Sequence, residues 1–239
     1  MSDLLEQAIA AHGGWERWRQ LKTLNAHAAI GGALWHLKAW PDVFADVRVV
    51  ADPHRPRAQY APFIDIGRHS LFEPDRVAIV AADGKDIESR EAPRDAFSGH
   101  GMTTPWDALH LAYFSGYAMW TYLTTPFLLN LPGFQTQEIE PWDENGETWR
   151  RLKAIFPPNI PSHGREQIFY FDASGILRRH DYSVDVIGGS SSANYALEPK
   201  TFGGIVYPTK RRVYATGPDN RPNLDRVAIA IDFRSIEPG

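Results

Sequence analysis

The densest group of chemically active side chains lies in the stretch 163–182, which reads HGREQIFYFDASGILRRHDY. Its histidines, carboxylates and tyrosines are the groups used in general acid–base catalysis, because an imidazole takes and gives a proton near neutral pH. Within the stretch, Asp172 followed by Gly175 has the residue order of a type I turn and a left-handed glycine that closes a β-hairpin. The stretch is therefore predicted to form two antiparallel strands, whose register decides which groups meet.

The preferred register of this hairpin pairs Asp172 with Ile176 across the turn. It then places Glu166, His180 and Tyr182 on one face, where the carboxylate can orient the imidazole beside the phenol. These three are the candidate catalytic residues. The alternative is that they are ordinary cross-strand pairs, which stabilise a sheet by roughly 0.2–1 kcal/mol each.

A register shifted by one residue brings a second set of polar side chains together. The members of that set are His163, Arg165, Gln167, His180 and Tyr182. Both registers place ionisable groups beside aromatic rings, so His163 and Arg165 are candidate ligand-binding residues.

A basic face is predicted on a later strand, 207–214, where Lys210, Arg212 and Tyr214 share one side. The forked guanidinium of Arg212 suits a carboxylated or otherwise anionic ligand, which makes Arg212 a further candidate ligand-binding residue. The alternative is a solvated edge strand whose charges prevent it from pairing with another strand.

Aromatic residues are frequent, with 8 Trp, 9 Tyr and 12 Phe making up 12% of the chain. Core packing accounts for most of them, but a small closed barrel has no room for so many rings. We therefore predict a cavity lined in part by aromatic side chains. The candidate lining residues are Trp35, Trp106, Tyr113, Tyr117 and Trp120.

Motifs for metals and cofactors are missing from the sequence. Cysteine is absent, which excludes disulfides, thiolate metal sites and a thiol nucleophile. The nine histidines show no HExxH or other ligand spacing, and neither GxSxG nor GxGxxG occurs. We predict no metal site and no cofactor.

The remaining chain carries signals for an antiparallel sheet. From Lys22 onward apolar and polar residues alternate, and the segment 34–40, LWHLKAW, continues this strand-like pattern. Asp-Gly at 83–84 and Asn-Gly at 145–146 favour tight hairpins, as does the turn at 172–175. Because parallel strands need crossovers of about a dozen residues, successive hairpins predict an antiparallel meander.

Helices are predicted at the N-terminus and in the middle of the chain. Residues 3–20 show the pattern of two short amphipathic helices. The segment 104–125 begins with Thr104 as N-cap and Pro105 at the first helical position, and it is apolar nearly all round. Such a helix is buried on most sides, or it covers an apolar cavity.

Together these elements predict an α+β fold with a strongly curved antiparallel half-barrel of about ten strands. The half-barrel wraps round the central hydrophobic helix that starts near Trp106, and the N-terminal helices pack at one end. No internal repeat or long linker interrupts the sequence, so residues 1–239 are predicted to form a single domain.

Charge and hydropathy limit the classes of partner. The net charge is −4, from 25 Lys plus Arg against 29 Asp plus Glu, which argues against a nucleic-acid-binding protein. The first residues lack the basic and apolar regions of a secretory signal, so we predict a cytoplasmic location. The segment 108–137 is uncharged, but its threonines, glycines and Pro126 argue against a membrane span.

The order of elements resembles the half-barrel superfamily of the bacterial lipoprotein-localisation factors LolA and LolB. The residues that carry the resemblance are AAHGGW at 10–15 before LKTL at 21–24, and FYFD at 169–172 before SGIL at 174–177. The resemblance implies a curved open sheet around an apolar cavity that helices close, and binding of acyl chains or other hydrophobic partners.

Two functions follow from these observations. The first is the binding of a hydrophobic small molecule, aromatic or acyl-containing, in the half-barrel cavity. The alternative is a cofactor-independent enzyme that uses Glu166, His180 and Tyr182 for proton transfer on such a ligand. Both need the same cavity, but an enzyme also needs a buried titrating group.

Overall fold

The computed structural model describes residues 2–239. They contain four α-helices and thirteen strands. The helices are α1 (Asp3–Ala11), α2 (Gly14–Gln20), α3 (Ala33–Leu37) and α4 (Ala108–Thr124). The strands are β1 (Leu24–Gly31), β2 (Val47–Ala51), β3 (Ala58–Ala61), β4 (Arg68–Glu73), β5 (Arg76–Ala81), β6 (Asp86–Glu91), β7 (Gln135–Glu144), β8 (Glu147–Ile155), β9 (Glu166–Phe171), β10 (Leu177–Val184), β11 (Ser190–Phe202), β12 (Ile205–Ala215) and β13 (Ile229–Pro238).

All of these strands belong to one open antiparallel sheet with the order β6-β5-β4-β3-β2-β1-β13-β12-β11-β10-β9-β8-β7. The chain runs from the middle of the sheet to one edge, passes through α4, and returns from the other edge by successive hairpins. The prediction of a curved antiparallel half-barrel with a central helix, of class α+β, is confirmed. The sheet has more strands than the roughly ten expected from the hairpin signals.

Helix α4 lies inside the curve of the sheet and is buried on every side from Leu109 to Thr124. Its N-cap is Asp107, three residues after the predicted N-cap, and the Asp107 side chain accepts from the His110 amide at 2.8 Å. The Thr104 hydroxyl instead accepts from the Gly101 amide, 3.0 Å away. The helix packs against β3, β4 and β5. Its apolar side chains therefore form the centre of the hydrophobic core.

Gly116 allows α4 to approach β4 closely, since a methyl group on it would overlap Cβ and Cγ of Phe72. Replacing glycine by alanine within a helix normally stabilises it by roughly 0.5–1 kcal/mol. Overpacking a tight contact typically costs about 1–3 kcal/mol, which is larger. We therefore expect Gly116→Ala to lower the thermal unfolding temperature, measured by circular dichroism. The matched control is Gly31→Ala, because an added Cβ there meets nothing within 4 Å; equal melting of the two variants would contradict the close contact.

The prediction of a strand at 34–40 is wrong, because residues Ala33–Leu37 form helix α3 instead. Gly32 has a φ of 118°, a conformation that turns the chain before the helix. The Trp35 ring then packs edge-on against Phe44, with ring centroids 5.3 Å apart. Tertiary packing of these rings thus overrides the alternating pattern.

The N-terminal helices are present as predicted, with α1 against β8 and α2 against β12. The Trp18 ring stacks on Phe127 at a centroid distance of 4.1 Å, which anchors α2 to the segment after α4. Among the helices of residues 2–239, none is both long and apolar enough to cross a membrane.

Candidate functional site

The hairpin of β9 and β10 forms at the predicted turn. The Asp172 amide donates to the Ile176 carbonyl at 3.0 Å, and Gly175 adopts a φ of 86°. Leu177 then pairs with Phe171, as the preferred register requires. The turn chemistry read from the sequence is therefore sufficient to place the first pair of the hairpin.

A β-bulge at Arg178 shifts the register by one residue beyond this pair. As a result, His180 lies opposite Phe169 and Tyr182 lies opposite Gln167. Glu166 falls on the other face with 57% of its side chain exposed. The predicted grouping of Glu166 with His180 and Tyr182 is thus corrected, because one extra residue in β10 exchanges the faces of everything that follows.

The buried face holds most of the set expected from the shifted register. His163 and Gln167 lie there with His180 and Tyr182, and all four are buried. Arg165 is exposed and lines a separate open depression of about 440 Å³ near Pro157–Pro161, away from this face.

Two tyrosines of α4 complete a buried polar group around His163. The Tyr117 hydroxyl lies 3.2 Å from His163 Nδ1, and the Tyr122 hydroxyl lies 2.8 Å from Nε2. The Tyr122 hydroxyl also lies 2.7 Å from the Tyr182 hydroxyl, and the His163 and Tyr182 rings stack at 4.0 Å. We refer to Tyr117, Tyr122, His163 and Tyr182 as the Tyr–His cluster.

His180 adjoins this cluster but has a different partner. Its Nε2 lies 2.6 Å from the Gln167 side-chain oxygen, and the Gln167 amide donates to the Gly164 carbonyl at 2.8 Å. The amide oxygen is an acceptor only, so His180 donates from Nε2. The His180 ring also stacks on Phe169 at 4.1 Å, which fixes its orientation.

Burial keeps the cluster uncharged at neutral pH. It lowers the pKa of His163 to about 3 and the pKa of His180 well below 6.5. It raises the pKa of Tyr122 to about 12 and the pKa of Tyr182 well above 10. A general base works best with a pKa near the operating pH. The arrangement is therefore suited to hydrogen bonding and not to proton transfer near neutral pH.

A cavity of about 270 Å³ opens beside the Tyr–His cluster, between α3 and strands β10 to β13. His163 and Tyr182 form part of its wall, so the polar cluster meets the cavity on one side. The large apolar side chains around it are Leu34, Leu37, Met102, Phe114, Val184, Ile187, Val213 and Ile229. The cavity is small for a ligand site and is mostly apolar.

Lys38 binds the loop 101–104, whose Met102 lines the cavity. Its ammonium donates to the Gly101 carbonyl at 2.8 Å and to the Thr104 carbonyl at 3.1 Å. It also lies 4.8 Å from the centre of the Trp106 ring, a favourable position for a cation. The loop is thus tied to the residue that follows α3.

The aromatic residues predicted to line the cavity are mostly core residues instead. Tyr117 belongs to the Tyr–His cluster. The rings of Trp35 and Trp106 pack against Phe114, and the Trp120 Nε1 donates to the Asp52 carbonyl at 2.9 Å. Tyr113 is also buried; it packs against Phe72 and Phe97 and borders the separate depression near Pro157–Pro161.

Phe114 is the α4 ring that reaches the cavity, and it is not among the predicted lining residues. A helix that is apolar all round gives no signal for which ring faces open space.

Arg212 lies on the outer face of β12, opposite to the cavity. Its guanidinium pairs with Asp232 at 2.8 Å across the strands β12 and β13. The neighbouring Arg211 faces inward and is buried, and it is not among the predicted binding residues. Alternation along a strand is the signal that distinguishes the two arginines, but it needs the inner face to be known.

No group of three or more His, Asp or Glu side chains is placed to hold a metal ion within residues 2–239. The residues around the cavity offer hydrogen bonds, apolar contacts and the positive charge of the exposed Arg226.

Comparison with known proteins supports the fold. No family model matches the sequence, and no curated protein matches it. A DUF1329 family protein from Desulfovibrio piger is similar with a TM-score of 0.58 and 10% identity, over 98% of this chain and 91% of that one. A LolA superfamily protein from Nitrosomonas europaea is similar with a TM-score of 0.53 and 11% identity, over 99% and 92%.

An outer membrane lipoprotein-sorting protein domain from Vibrio parahaemolyticus is also similar, with a TM-score of 0.56 and 11% identity over 98% of this chain and 90% of that one. The chain therefore has a LolA-like fold, as the order of elements predicted. The predicted cytoplasmic location is wrong, because the similar structures are those of LolA superfamily and outer membrane lipoprotein-sorting proteins.

Proposed function

We propose that this protein binds a hydrophobic small molecule, with an acyl chain or an aromatic group, in the cavity beside α3. The observation that carries the proposal is the cavity itself, whose walls are mostly apolar and whose polar side is the Tyr–His cluster. The LolA-like fold supports it, because the curved sheet encloses the cavity between its strands β10–β13 and the helix α3.

The volume of about 270 Å³ lies just below the usual range for small-molecule sites, roughly 300–1,000 Å³. It therefore suits a single short chain or one ring system better than a lipid with several long chains. Burial of such a chain is favourable by about 25 cal/mol for each Å² of apolar surface removed from water.

The enzymatic alternative lacks its predicted catalytic group, because Glu166 lies on the exposed face of the sheet, opposite to His180 and Tyr182. A non-catalytic binding function needs none of these groups to titrate.

Blocking the cavity should abolish binding without unfolding the protein. Ala33 lines the cavity at its partly exposed rim, so we expect Ala33→Trp to weaken the binding of 1-decanol at least tenfold. Isothermal titration calorimetry measures the affinity, and circular dichroism checks that the variant is folded.

The matched control is Ala29→Trp, since Ala29 is also partly exposed but points away from the buried face of β1. This variant should bind 1-decanol like the wild type. Absence of binding by the wild type, or equal loss in both variants, would refute the cavity as the binding site.

A further inference from the structure

Arg211 on β12 is a buried cation without a carboxylate partner among residues 2–239. It is 1% exposed, and its one hydrogen bond runs from Nη2 to the Tyr122 carbonyl at 3.2 Å. Its guanidinium lies 4.7 Å from the centre of the Tyr122 ring, while Nε and Nη1 have no partner. Such an arrangement is costly, because a buried charge normally has its hydrogen-bonding groups satisfied.

Arg211 nonetheless remains charged at neutral pH. Burial lowers its pKa to about 10, which is still well above neutral. The groups around it are the phenols of Tyr122 and Tyr182 and the imidazoles of His180 and His12, all uncharged at this pH. The interior around Arg211 therefore carries an uncompensated positive charge.

Asn194 on the neighbouring strand β11 is a second unsatisfied polar group. It is 0% exposed, and neither its amide nitrogen nor its amide oxygen has a hydrogen-bond partner. Asn194 pairs with Val213, which places it diagonally next to Arg211 on the same face of the sheet. The hydroxyls of Tyr122 and Tyr182 lie beside this amide without forming a hydrogen bond of ordinary geometry to it.

These two residues lie directly beyond the inner wall of the cavity. Val213 and Ser192 form part of that wall, and Arg211 and Asn194 are the next residues inward on the same faces of β12 and β11. A step of two residues along a strand is about 7 Å. Tyr182 also belongs to the wall, and its hydroxyl contacts the hydroxyl of Tyr122, whose ring lies against the Arg211 guanidinium.

We propose that Arg211 and Asn194 bind the carboxylate of an amphipathic ligand whose apolar chain occupies the cavity beside α3. The inference rests on the proposed function and specifies its ligand as an acid. A carboxylate offers two acceptor oxygens to the free guanidinium donors and to the Asn194 amide. The phenols of Tyr122 and Tyr182 supply further donors when their mutual hydrogen bond opens.

Comparison of an acid with the matching alcohol tests this site. At pH 7.5 we expect the wild type to bind decanoic acid at least tenfold more tightly than 1-decanol, as measured by isothermal titration calorimetry. Arg211→Met keeps an unbranched apolar side chain but removes the charge, so it should bind both ligands equally. Arg212→Met is the matched control on the outer face and should keep the preference for the acid.

Asn194→Asp is a second test that does not depend on the folding of Arg211→Met. It places a carboxylate beside Arg211 in nearly the same volume, so the internal pair should compete with the ligand. We expect the affinity for decanoic acid to fall at least tenfold while the affinity for 1-decanol stays the same.

The outcomes separate the two proposals. Equal binding of acid and alcohol by the wild type, or a preference that survives in both Arg211→Met and Asn194→Asp, would overturn the carboxylate site alone. If the wild type bound neither ligand, the proposed function would fail and the carboxylate site with it.

Discussion

Arg179→Met is expected to lower the free energy of unfolding by about 3–5 kcal/mol, the usual cost of leaving buried charges without their partner. Arg179 is 0% exposed and lies on the outer face of β10. Its Nε donates to Asp181 at 2.6 Å and its Nη1 to Glu144 at 2.8 Å. Both carboxylates are themselves nearly buried, with about a tenth of each side chain exposed.

The same guanidinium links distant segments of the chain. Nη2 donates to the Asn220 carbonyl at 2.7 Å, and Nη1 lies 3.3 Å from the Tyr195 hydroxyl. The rings of Trp142 and Tyr170 lie 5.4 and 5.0 Å from the guanidinium carbon. Loss of Arg179 therefore removes hydrogen bonds and stacking together, and leaves two carboxylates with unmet hydrogen-bonding capacity.

Arg212→Met is the matched control for this prediction. Arg212 also pairs with a carboxylate across the sheet, but 24% of its side chain and 44% of the Asp232 side chain are exposed. Exposed pairs contribute only about 0–1 kcal/mol. Urea denaturation of both variants measures the difference, and similar losses for Arg179→Met and Arg212→Met would show that burial of the pair is not the cause.

Acidification is expected to destabilise the protein from about pH 6.5 downward through three buried histidines. Burial lowers the pKa of His163 to about 3, of His12 to about 4, and of His180 well below 6.5. The unfolded chain takes up these protons near pH 6.5, whereas the folded protein does not. The unfolded state thus binds more protons as the pH falls, so the free energy of unfolding falls with it.

Each histidine should contribute up to about 1.4 kcal/mol per pH unit between pH 6 and about 4.5, above the range where most carboxylates titrate. Urea denaturation at a series of pH values measures this slope. His12→Asn should reduce it by the share of one histidine, whereas replacement of the exposed His36 by Asn should leave it unchanged. A stability that is constant from pH 7 to 5 would contradict the neutral state of the buried imidazoles.

The hairpins show how far local sequence signals reach. The dipeptide Asn145-Gly146 adopts φ values of 54° and 81°, as a primed turn requires, and Gly175 ends the turn after Asp172 as expected. The bulge at Arg178 had no such signal. The bulge depends on how β10 pairs with β9 and β11. These contacts are made across the sheet and not between neighbours along the chain.

The two adjacent arginines of β12 show the same limit in the candidate site. The sequence pointed to the basic face that contains Arg212. This residue pairs with Asp232 and lies on the outer face of the sheet. The unpartnered cation is Arg211, one residue earlier. Alternation separates the two residues onto opposite faces. The contact of the Arg211 guanidinium with Tyr122 of α4 shows that its face is the inner one.

Local patterns in the sequence were enough to predict the antiparallel sheet, the N-terminal helices α1 and α2, and the central apolar helix α4. Turn preferences, caps and hydrophobic periodicity are properties of a few neighbouring residues, so they can be read without the rest of the chain. Which side chains face the cavity depends on long-range packing. A one-residue bulge or a short helix such as α3 reverses the faces of a strand or removes it, and the contacts that favour either come from residues far away in the sequence.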